Sequence, residues 1–572
     1  MNHAPLSRTT AAAEGDPPPR SLATESHDPS LTAPARPSRV AIASAAAFAG
    51  VLTIGWRFLT FSGFNNDHYV HLSRAQQILF GEWPVRDFVD PGMPLMYAVH
   101  AAVRAAFGPA LGVEWALVAL AFAIGAACTV IAATRLSGFV SVALVLTAFQ
   151  VVLSPRSFGY PKILLYAVAA LVIMALARRL MTRALVVAGA MTAVAFLFRH
   201  DHGMFIGFAS LTAIVVGSYR EGRRRMVERS AIFAATVAIV LLPWAAFVQH
   251  YQGLINYFVS AVGFTQGEAI DHGLRAIPRL QFGELDTTRN ALVWLFYTFH
   301  ALPIACVVLL IRRRSEPDAW PGETAVVAAL SAMAIPVNIT FLRGSLDGRV
   351  ADAIVPAALL GSWLIGLALR RTDRMVPIVA SGIVVAITAW ASVRTGDLRE
   401  QLDKTELLHG PAIVRLHAAD LWDRLHRRVP EGGHVPSRYS RALLPFIEYV
   451  RRCTPPQDRL LVTGLFPEIN VIAERGFAGG QMAFQPGFYG NDAEQAQTIA
   501  RLQQQSVPFA IIVRKLFPDL KRQLSGVMEY IDLRYAPMAH IPVPETDGVD
   551  VLVDRGRQSA RVDAATGWPC FE

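Results

Sequence analysis

Long apolar runs separated by short polar segments make up most of the chain between residues 40 and 394. A helix that crosses a bilayer needs roughly 20 predominantly apolar residues. Runs of about this length or slightly shorter lie at 40–62, 112–134, 138–153, 161–179, 184–199, 203–219, 230–248, 291–311, 323–342, 350–369 and 375–393. The pattern predicts a polytopic α-helical membrane protein with about eleven transmembrane helices.

Basic residues between these runs predict the orientation of the chain. Arg36 and Arg39 precede the first run, and further clusters lie around Arg135, 178–183, 220–229, 312–314 and 370–374. Positive residues collect in cytoplasmic loops, and eleven spans put every one of these clusters on the cytoplasmic side. A shorter apolar stretch at 93–107 is therefore predicted to lie on the outer face without crossing. The predicted external segments are 63–111, 154–160, 199–203, 249–290, 343–349 and everything after 394.

Composition and pattern divide the chain into four parts. Residues 1–39 are rich in Pro, Ala, Ser and Thr and are predicted to be a disordered cytoplasmic tail. Residues 40–394 form the transmembrane domain, with 63–111 as its first external loop. Residues 395–440 are an amphipathic connector whose stretch Ile413 to Arg428 lies on the membrane surface or is an ordinary surface helix. Residues 441–572 are predicted to form an external α/β domain, because RLLVTG, FAIIVR and VDVLVD have the pattern of buried strands.

The positive net charge does not indicate that the protein binds nucleic acid. The 572 residues are 53% hydrophobic and 17% charged with a net charge of +9, whereas a soluble protein carries about a quarter charged residues. The excess of Lys and Arg belongs to the cytoplasmic loops. Of four cysteines, Cys128 and Cys306 lie in apolar runs and are expected to be inert. Cys453 and Cys570 are either a disulfide, if the C-terminal domain is external, or two free thiols.

Charged residues on the external face call for a separate explanation, since cations collect inside. Asp67 begins a predicted amphipathic helix in the first external loop, and could be no more than the N-cap of that helix. Other external segments carry SPRSFGYPK, FRHDHG and LRGSLDGRVAD, with charged residues that include Arg156, His200, His202, Asp347 and Asp352. Together these segments predict a polar bowl at the outer membrane surface.

The first external loop also contains a recognisable string. It consists of Gly81, Glu82, Pro84, Arg86, Asp87, Phe88, Pro91, Gly92, Pro94, Leu95 and Tyr97, and follows Asp67. This string resembles the first external loop of the GT-C membrane glycosyltransferases. It is similar to lipid A aminoarabinose transferases, protein O-mannosyltransferases and their bacterial family-39-like relatives. The motif covers residues 64–97, and the architecture covers most of the chain.

The resemblance implies an enzyme of the bacterial inner membrane with its active site on the outer, periplasmic face. It would move a sugar from a polyprenyl-phosphate donor to a hydroxyl of a lipid, glycan or protein acceptor in the cell envelope. Asp67 would be the catalytic general base, a role that a carboxylate can fill. This chain has His68 where many relatives have a second acid, and its second external segment lacks a carboxylate. A metal-dependent mechanism is thus less supported, so a divalent cation stays open and no metal ligand is assigned.

The leaving lipid phosphate needs cations to stabilise its charge. We expect the substrate-binding residues to be His68, Arg86, Asp87, Tyr160, Lys162, Arg199, Asp201, Arg343 and Arg349. For the cations, contact with lipid headgroups is the simpler alternative. Zinc at Asp67, His68 and His71, or at His200, Asp201 and His202, is a further alternative. A transporter or lipid flippase without transferase chemistry, and a scaffold that displays the C-terminal domain, are the competing functions; spans nearly free of charge favour the enzyme.

Overall fold

The computed structural model describes residues 37–571 apart from 154–155, 273–276, 284–285, 316, 319, 344–345, 371–374 and 428–434. For residues 264–272, 343, 375–377 and 380 it describes the backbone alone. The prediction of a disordered tail therefore concerns residues outside the described part, except for its last three.

The first part of the chain is helical. Its helices are α1 Arg39–Leu59, α2 Asn66–Leu79, α3 Pro94–Phe107, α4 Leu111–Ser137, α5 Val140–Val152, α6 Tyr160–Arg178, α7 Thr182–Phe198, α8 His200–Ser218, α9 Arg223–Tyr251, α10 Leu254–His272, α11 Thr288–Arg312, α12 Glu323–Ile339, α13 Leu346–Arg349, α14 Ile354–Arg370, α15 Met375–Thr395, α16 Leu398–Thr405 and α17 Pro411–His426. Each of the eleven predicted runs coincides with a helix.

Eight helical segments in the described residues are long and apolar enough to cross a membrane. They are Arg39–Leu59, Leu111–Ser137, Ser157–Arg178, His200–Glu221, Arg223–Tyr251, Thr288–Arg312, Glu323–Leu342 and Leu346–Arg370. Helices α5 and α7 have 13 and 17 residues and are shorter than these eight segments. The part of α15 from Ser381 to Thr395 is likewise a shorter apolar helix. The structure is thus that of a multi-pass membrane protein, and a count of eleven spans stays a prediction.

Small residues let the membrane helices pack closely around α4. A Cβ added at Gly125 would lie 2.9 Å from the Ile163 side chain on α6. A Cβ at Gly366 on α14 would lie 2.4 Å from the Ser137 backbone. Since lipid tails are as apolar as the helices, close van der Waals contact at such positions is what holds membrane helices together. The result is one continuous apolar core that includes Phe122, Ile163 and Trp363.

Helix α3 does not have the length of a membrane span. Its 14 residues extend about 21 Å, short of the roughly 30 Å of a bilayer core. Pro94 occupies its first turn, and His100 and Arg104 are buried. The mixture of glycines and charged residues in 249–290 predicts a mobile loop, but the segment contains helix α10. Gly273 of this segment lies outside the described residues.

The C-terminal part is a small α/β domain, as predicted. Its elements are α18 Arg438–Ala442, α19 Leu444–Cys453, β1 Arg459–Val462, α20 Pro467–Ala473, β2 Gly476–Phe477, α21 Asp492–Gln504, β3 Phe509–Val513, α22 Phe517–Gln523, α23 Ser525–Arg534, β4 Tyr535–Ile541, β5 Val549–Asp554, β6 Arg561–Val562 and β7 Pro569–Cys570. The main sheet has the order β2-β1-β3-β5-β4. The first three strands are parallel and the last two antiparallel, and β6 pairs with β7.

Helices cover both faces of this sheet. Leu460 and Ile511 pack with Phe446 of α19 on one face, while Leu461 and Ile512 pack with α22 and α23 on the other. This explains why β1 and β3 are apolar without alternation. A disulfide between Cys453 and Cys570 joins the end of α19 to β7, with 4.4 Å between the Cα atoms. Cys128 and Cys306 are free thiols.

The predicted amphipathic stretch forms α17. His417 donates a hydrogen bond to the Leu59 carbonyl at the end of α1, over 3.0 Å. Leu421 and Leu425 are buried, whereas Leu416 and Trp422 are exposed. The helix is therefore attached to the membrane domain and still shows apolar side chains on its outer side. A place on the membrane surface stays a prediction.

Candidate functional site

Asp67 lies in the first turn of α2 and is not its cap. The N-cap is Asn65, whose side-chain oxygen accepts a hydrogen bond from the His68 amide over 3.2 Å. The interpretation of Asp67 as a mere cap is therefore wrong. The Asp67 side chain is 48% exposed, and the helix dipole favours a negative charge at this end. Asp67 is thus a carboxylate held by a helix and open to an incoming group.

Three polar segments that are distant in sequence meet at Asp67. Its Oδ2 lies 3.9 Å from Arg156 Nη1, and Arg156 Nη2 lies 4.0 Å from Asp347 Oδ2. Asp347 is 63% exposed. Part of the polar bowl that the sequence predicts is therefore present: the first, second and fifth polar segments converge on the guanidinium of Arg156.

A polar cavity of about 210 Å³ opens beside this group. Its lining comes from the end of α1, the start of α2, α4 and α16, and includes Arg57, Asn65, Trp115, Arg156 and Lys404. With Arg57, Arg156 and Lys404 in its wall and Asp67 next to Arg156, the cavity suits an anionic or polyhydroxylated ligand. Arg57 and Lys404 are site residues that the sequence did not single out.

A second group of charges is buried behind the first. The Lys162 ammonium donates to Asp352, and Arg199 pairs with Asp201 over 2.9 Å. The pairs interact with each other, since Asp352 also attracts Arg199 and Asp201 attracts Lys162. Arg349 repels Lys162 electrostatically. The structure thus brings together predicted site residues from the second, third and fifth of the segments predicted to be external, and Lys162 and Arg199 are each already paired with a carboxylate.

The Asp-Pro-Gly part of the motif forms a turn that is tied to α8 and α10. Asp90 Oδ1 accepts hydrogen bonds from the amides of Gly92 and Met93, both over 2.9 Å. Its Oδ2 accepts one from the Tyr257 hydroxyl over 2.9 Å, which lies 2.8 Å from His200 Nε2. Gly92 has a φ of 104°, and a Cβ there would lie 2.9 Å from the His200 ring. Only glycine fits this position without displacing His200.

Arg86 and Asp87 shape the preceding loop. The Arg86 guanidinium lies 2.6 Å from Asp87 Oδ2 and also donates to the Gly81 carbonyl. Asp87 in turn accepts a hydrogen bond from the Trp83 amide over 2.7 Å. Both side chains are partly exposed, so their predicted contact with substrate stays a prediction, and their visible contacts are within the loop.

The C-terminal domain holds α2 from its other side. Gln76 donates to the carbonyls of Asn470 and Arg475 over 3.2 and 2.8 Å, and Gln77 donates to the Phe477 carbonyl over 3.0 Å. Glu82 forms a salt bridge of 2.8 Å with Arg459. Burial raises the pKa of the Glu82 carboxyl, although Arg459 acts in the opposite direction. The helix that carries Asp67 is therefore fixed between the membrane helices and the C-terminal sheet.

His68 points away from the open side of α2. It is fully buried, and its Nε2 donates to Glu114 Oε1 over 2.7 Å. His100 approaches the same oxygen from α3. His71, one turn further along α2, is also buried, and this burial lowers its pKa well below the usual range. His68 therefore does not line the surface where Asp67 lies, and its predicted contact with substrate would need a rearrangement. Glu114 was not predicted from the sequence. The sequence feature that could have indicated it is a single acidic residue in the first turn of an apolar helix.

The remaining predicted residues are also accounted for. The Tyr160 hydroxyl lies 3.2 Å from His100 Nε2, within hydrogen-bond distance. Asp201 is paired with Arg199, and His202 Nδ1 lies 2.7 Å from the Tyr166 hydroxyl and 3.5 Å from Asp201 Oδ1. His200, Asp201 and His202 each have a partner outside this trio, and neither of the predicted zinc groups is among the groups of possible metal ligands in the described residues. The side chain of Arg343 lies outside the described part.

No family model matches the chain. No curated protein matches it either. Among solved structures, the chain is similar to archaeal oligosaccharyltransferase AglB from Archaeoglobus fulgidus, in complex with an inhibitory peptide and a dolichol-phosphate. The TM-score is 0.47 at 12% identity, over 91% of this chain and 75% of that one. A likeness at this level carries no argument about function.

Proposed function

We propose that the chain is an integral membrane glycosyltransferase that uses a polyprenyl-phosphate-linked sugar. It would transfer a hexosyl or pentosyl group to a hydroxyl acceptor of the cell envelope, with Asp67 as general base. One observation carries this proposal: a half-exposed carboxylate lies in the first turn of a fixed helix, 3.9 Å from Arg156 and beside a cavity lined by cations. This combination provides a base for an alcohol and positive charge for a phosphate leaving group.

The transfer step follows from these two elements. Asp67 takes the proton of the acceptor hydroxyl while its oxygen forms a bond to the anomeric carbon of the sugar. The bond between that carbon and the phosphate oxygen breaks, and its electron pair stays on the polyprenyl phosphate. Cations stabilise the added negative charge, and the proton leaves Asp67 for water or for the phosphate. No other group has to be oxidised or reduced.

The donor needs a polar and an apolar contact region. Lys162, Arg199 and Arg349 are our candidates for the phosphate, with Arg57 and Arg156 as a second set beside Asp67. An apolar cavity of about 590 Å³ lies among α5, α11, α14 and α15. Ile354 lines this cavity and follows Asp352, the partner of Lys162, by two residues. This neighbourhood supports a lipid whose phosphate is at the ion pair and whose prenyl chain lies in the membrane.

The proposal also specifies the orientation of the chain in the membrane. The N-terminus would be cytoplasmic, with eleven spans in a bacterial inner membrane and the C-terminal domain on the periplasmic side. The Cys453–Cys570 disulfide supports the external position of that domain, since disulfides persist in oxidising compartments. Asp67 would then face the outer leaflet, where both a flipped donor and an envelope acceptor are present.

Native mass spectrometry on protein purified gently from its own membranes tests the donor class. We expect a bound polyprenyl phosphate, with or without a sugar, whose mass identifies the prenyl length. Arg156→Ala removes a half-exposed side chain from the cavity and is expected to lower the occupied fraction severalfold, while Arg438→Ala, a half-exposed arginine of the C-terminal domain, leaves it unchanged. If only bulk phospholipid is found in repeated preparations, the transferase proposal fails, and a transporter or flippase becomes the better explanation.

A further inference from the structure

Three buried side chains from three helices converge at one point. His68 comes from α2, His100 from α3 and Glu114 from α4. Glu114 Oε1 lies 2.7 Å from His68 Nε2 and 2.6 Å from His100 Nδ1. The side chains are 0% exposed for both histidines and 2% for Glu114. The three potential ligand atoms all lie within 4.8 Å of one another.

Some of the buried polar atoms of this cluster lack hydrogen bonds in the described part of the chain. The His68 contact has hydrogen-bond geometry, whereas His100 Nδ1, although 2.6 Å from the same oxygen, makes no hydrogen bond within the described structure. Glu114 Oε2 is also buried without a hydrogen-bond partner there. Buried polar atoms are nearly always satisfied, and each exception needs an explanation. Two imidazole nitrogens and a carboxylate face one another here, with His100 Nδ1 and Glu114 Oε2 lacking hydrogen bonds in the described residues, and these atom types match the donor set of a zinc ion.

We infer that His68, His100 and Glu114 bind one divalent metal ion with the ligand preferences of zinc. Imidazole nitrogen and carboxylate oxygen are both zinc ligands, at about 2.0–2.2 Å. In tetrahedral geometry such ligand atoms are about 3.3 Å apart, so they would separate by about 0.6 Å when the ion enters. The second oxygen, Glu114 Oε2, gives the ion a further protein ligand and removes the unsatisfied acceptor.

The surroundings of His100 fit this assignment, whereas His68 Nδ1 has no hydrogen-bond partner in the described residues. A histidine that binds a metal usually engages its other ring nitrogen in a hydrogen bond, which fixes its tautomer. With Nδ1 bound to the metal, His100 Nε2 carries the ring proton and can donate it to the Tyr160 hydroxyl oxygen, which lies 3.2 Å away. Tyr160 begins α6, so the ion would connect α2, α3, α4 and α6. It would fix the first turn of α2 directly behind Asp67.

This ion is distinct from a cation that takes part in the transfer step. The Asp67 side chain is half-exposed, whereas the His68 ring next to it in the sequence is fully buried. The other group of possible ligands in the described residues is Cys453, Asp563 and Cys570, and its two sulfur atoms are joined in the disulfide. The inference does not depend on the proposed glycosyl transfer.

The test uses the full-length protein, purified in detergent through a tag without histidine and without reductant. Metal content is measured by elemental mass spectrometry, and we expect about one zinc per chain. His100→Asn and Glu114→Gln should each lower this content at least tenfold. The matched control is His202→Gln, because His202 is equally buried and pairs with Tyr166; it should retain the zinc.

A second measurement covers the case in which the variants do not fold. Wild-type protein is stripped with a chelator and titrated with cobalt(II), which absorbs visible light strongly in a tetrahedral site with nitrogen and oxygen ligands. We expect saturation at one cobalt per chain and recovery of the unfolding temperature by zinc but not by magnesium. If neither metal binds, or if zinc stays after His100→Asn, the inference is overturned and the cluster is a carboxylate held by two imidazoles.

Discussion

The carboxylate of Asp67 and the guanidinium of Arg156 are 3.9 Å apart, although the two residues belong to different polar segments. Both side chains are about half-exposed, so the pair contributes at most about 1 kcal/mol to stability. Its significance lies in the site, because it keeps the proposed base and a proposed phosphate-binding cation side by side. Asp347 is placed similarly on the other side of Arg156 and so provides an internal control.

Asp67→Asn should abolish transfer while leaving the fold intact. A general base contributes about 10²–10⁴-fold to rate, and Asn keeps the shape without the basicity. The measurement is release of polyprenyl phosphate in membranes of the native host, followed by lipid mass spectrometry. Asp347→Asn, which changes the other carboxylate near Arg156, should retain most of the activity. Equal losses in the two variants would contradict the assignment of Asp67 as base.

Replacing one partner of the Lys162–Asp352 pair should destabilise the protein more than replacing both partners by apolar residues. Both side chains are largely buried, so Asp352→Asn leaves an unmatched ammonium, which typically costs about 3–5 kcal/mol. The double variant Lys162→Met with Asp352→Leu should recover much of the unfolding temperature. It should still lose bound polyprenyl phosphate in native mass spectra. A double variant that keeps the lipid would show that this pair only supports the fold.

Gly92→Ala should be far more damaging than Gly81→Ala. Both glycines have positive φ, 104° and 83°, so alanine strains the backbone at each. At Gly92 the added Cβ would also meet the His200 ring, whereas at Gly81 nothing lies within 4 Å. The difference in unfolding temperature between the variants isolates the contact with His200. Equal shifts would mean that the turn and α8 move apart easily.

Glu82→Gln should loosen the C-terminal domain from α2. The Glu82–Arg459 bridge is mostly buried, so its loss leaves Arg459 without its carboxylate partner. We expect faster hydrogen exchange in β1 and β2 and in the C-terminal half of α2. The control is Glu545→Gln, which removes an exposed salt bridge to Arg438 in the same domain and should change nothing measurable.

The disulfide predicts a specific thiol count. Without reductant, denatured protein from native membranes should take up alkylating reagent at Cys128 and Cys306 alone. Replacing Cys453 and Cys570 by serine removes a link between residues 117 positions apart and should destabilise the domain by about 2–5 kcal/mol. Labelling at all four cysteines in protein from intact cells would contradict an external position for this domain.

The sequence predicted the elements whose formation depends on residues close together along the chain. Apolar runs predicted the membrane helices, and strands β1, β3 and β5 were predicted from RLLVTG, FAIIVR and VDVLVD, since each buries its own side chains. Asp67 was identifiable as an acid that begins a polar helix. By contrast, α10 was missed because its glycines and charges mimic a loop.

Contacts between distant segments could not be predicted. Glu114 was missed because a single acid near the start of an apolar helix looks like a surface residue until α2 and α3 cover it. Arg57 and Lys404 were missed because their cavity forms only when the end of α1 meets α16. The motif residues Glu82 and Gly92 were recognised by resemblance, yet their contacts with Arg459 and His200 depend on the packing of the whole chain.

The way α2 meets the C-terminal domain has an evolutionary consequence. Gln76 and Gln77 donate to backbone carbonyls of Asn470, Arg475 and Phe477, which every residue type provides. Mutations at those partner positions leave the acceptors unchanged, so pairwise covariation should be weak there. Divergent relatives should retain the two glutamines while their partners drift, whereas Glu82 and Arg459, which recognise each other through side chains, should change together.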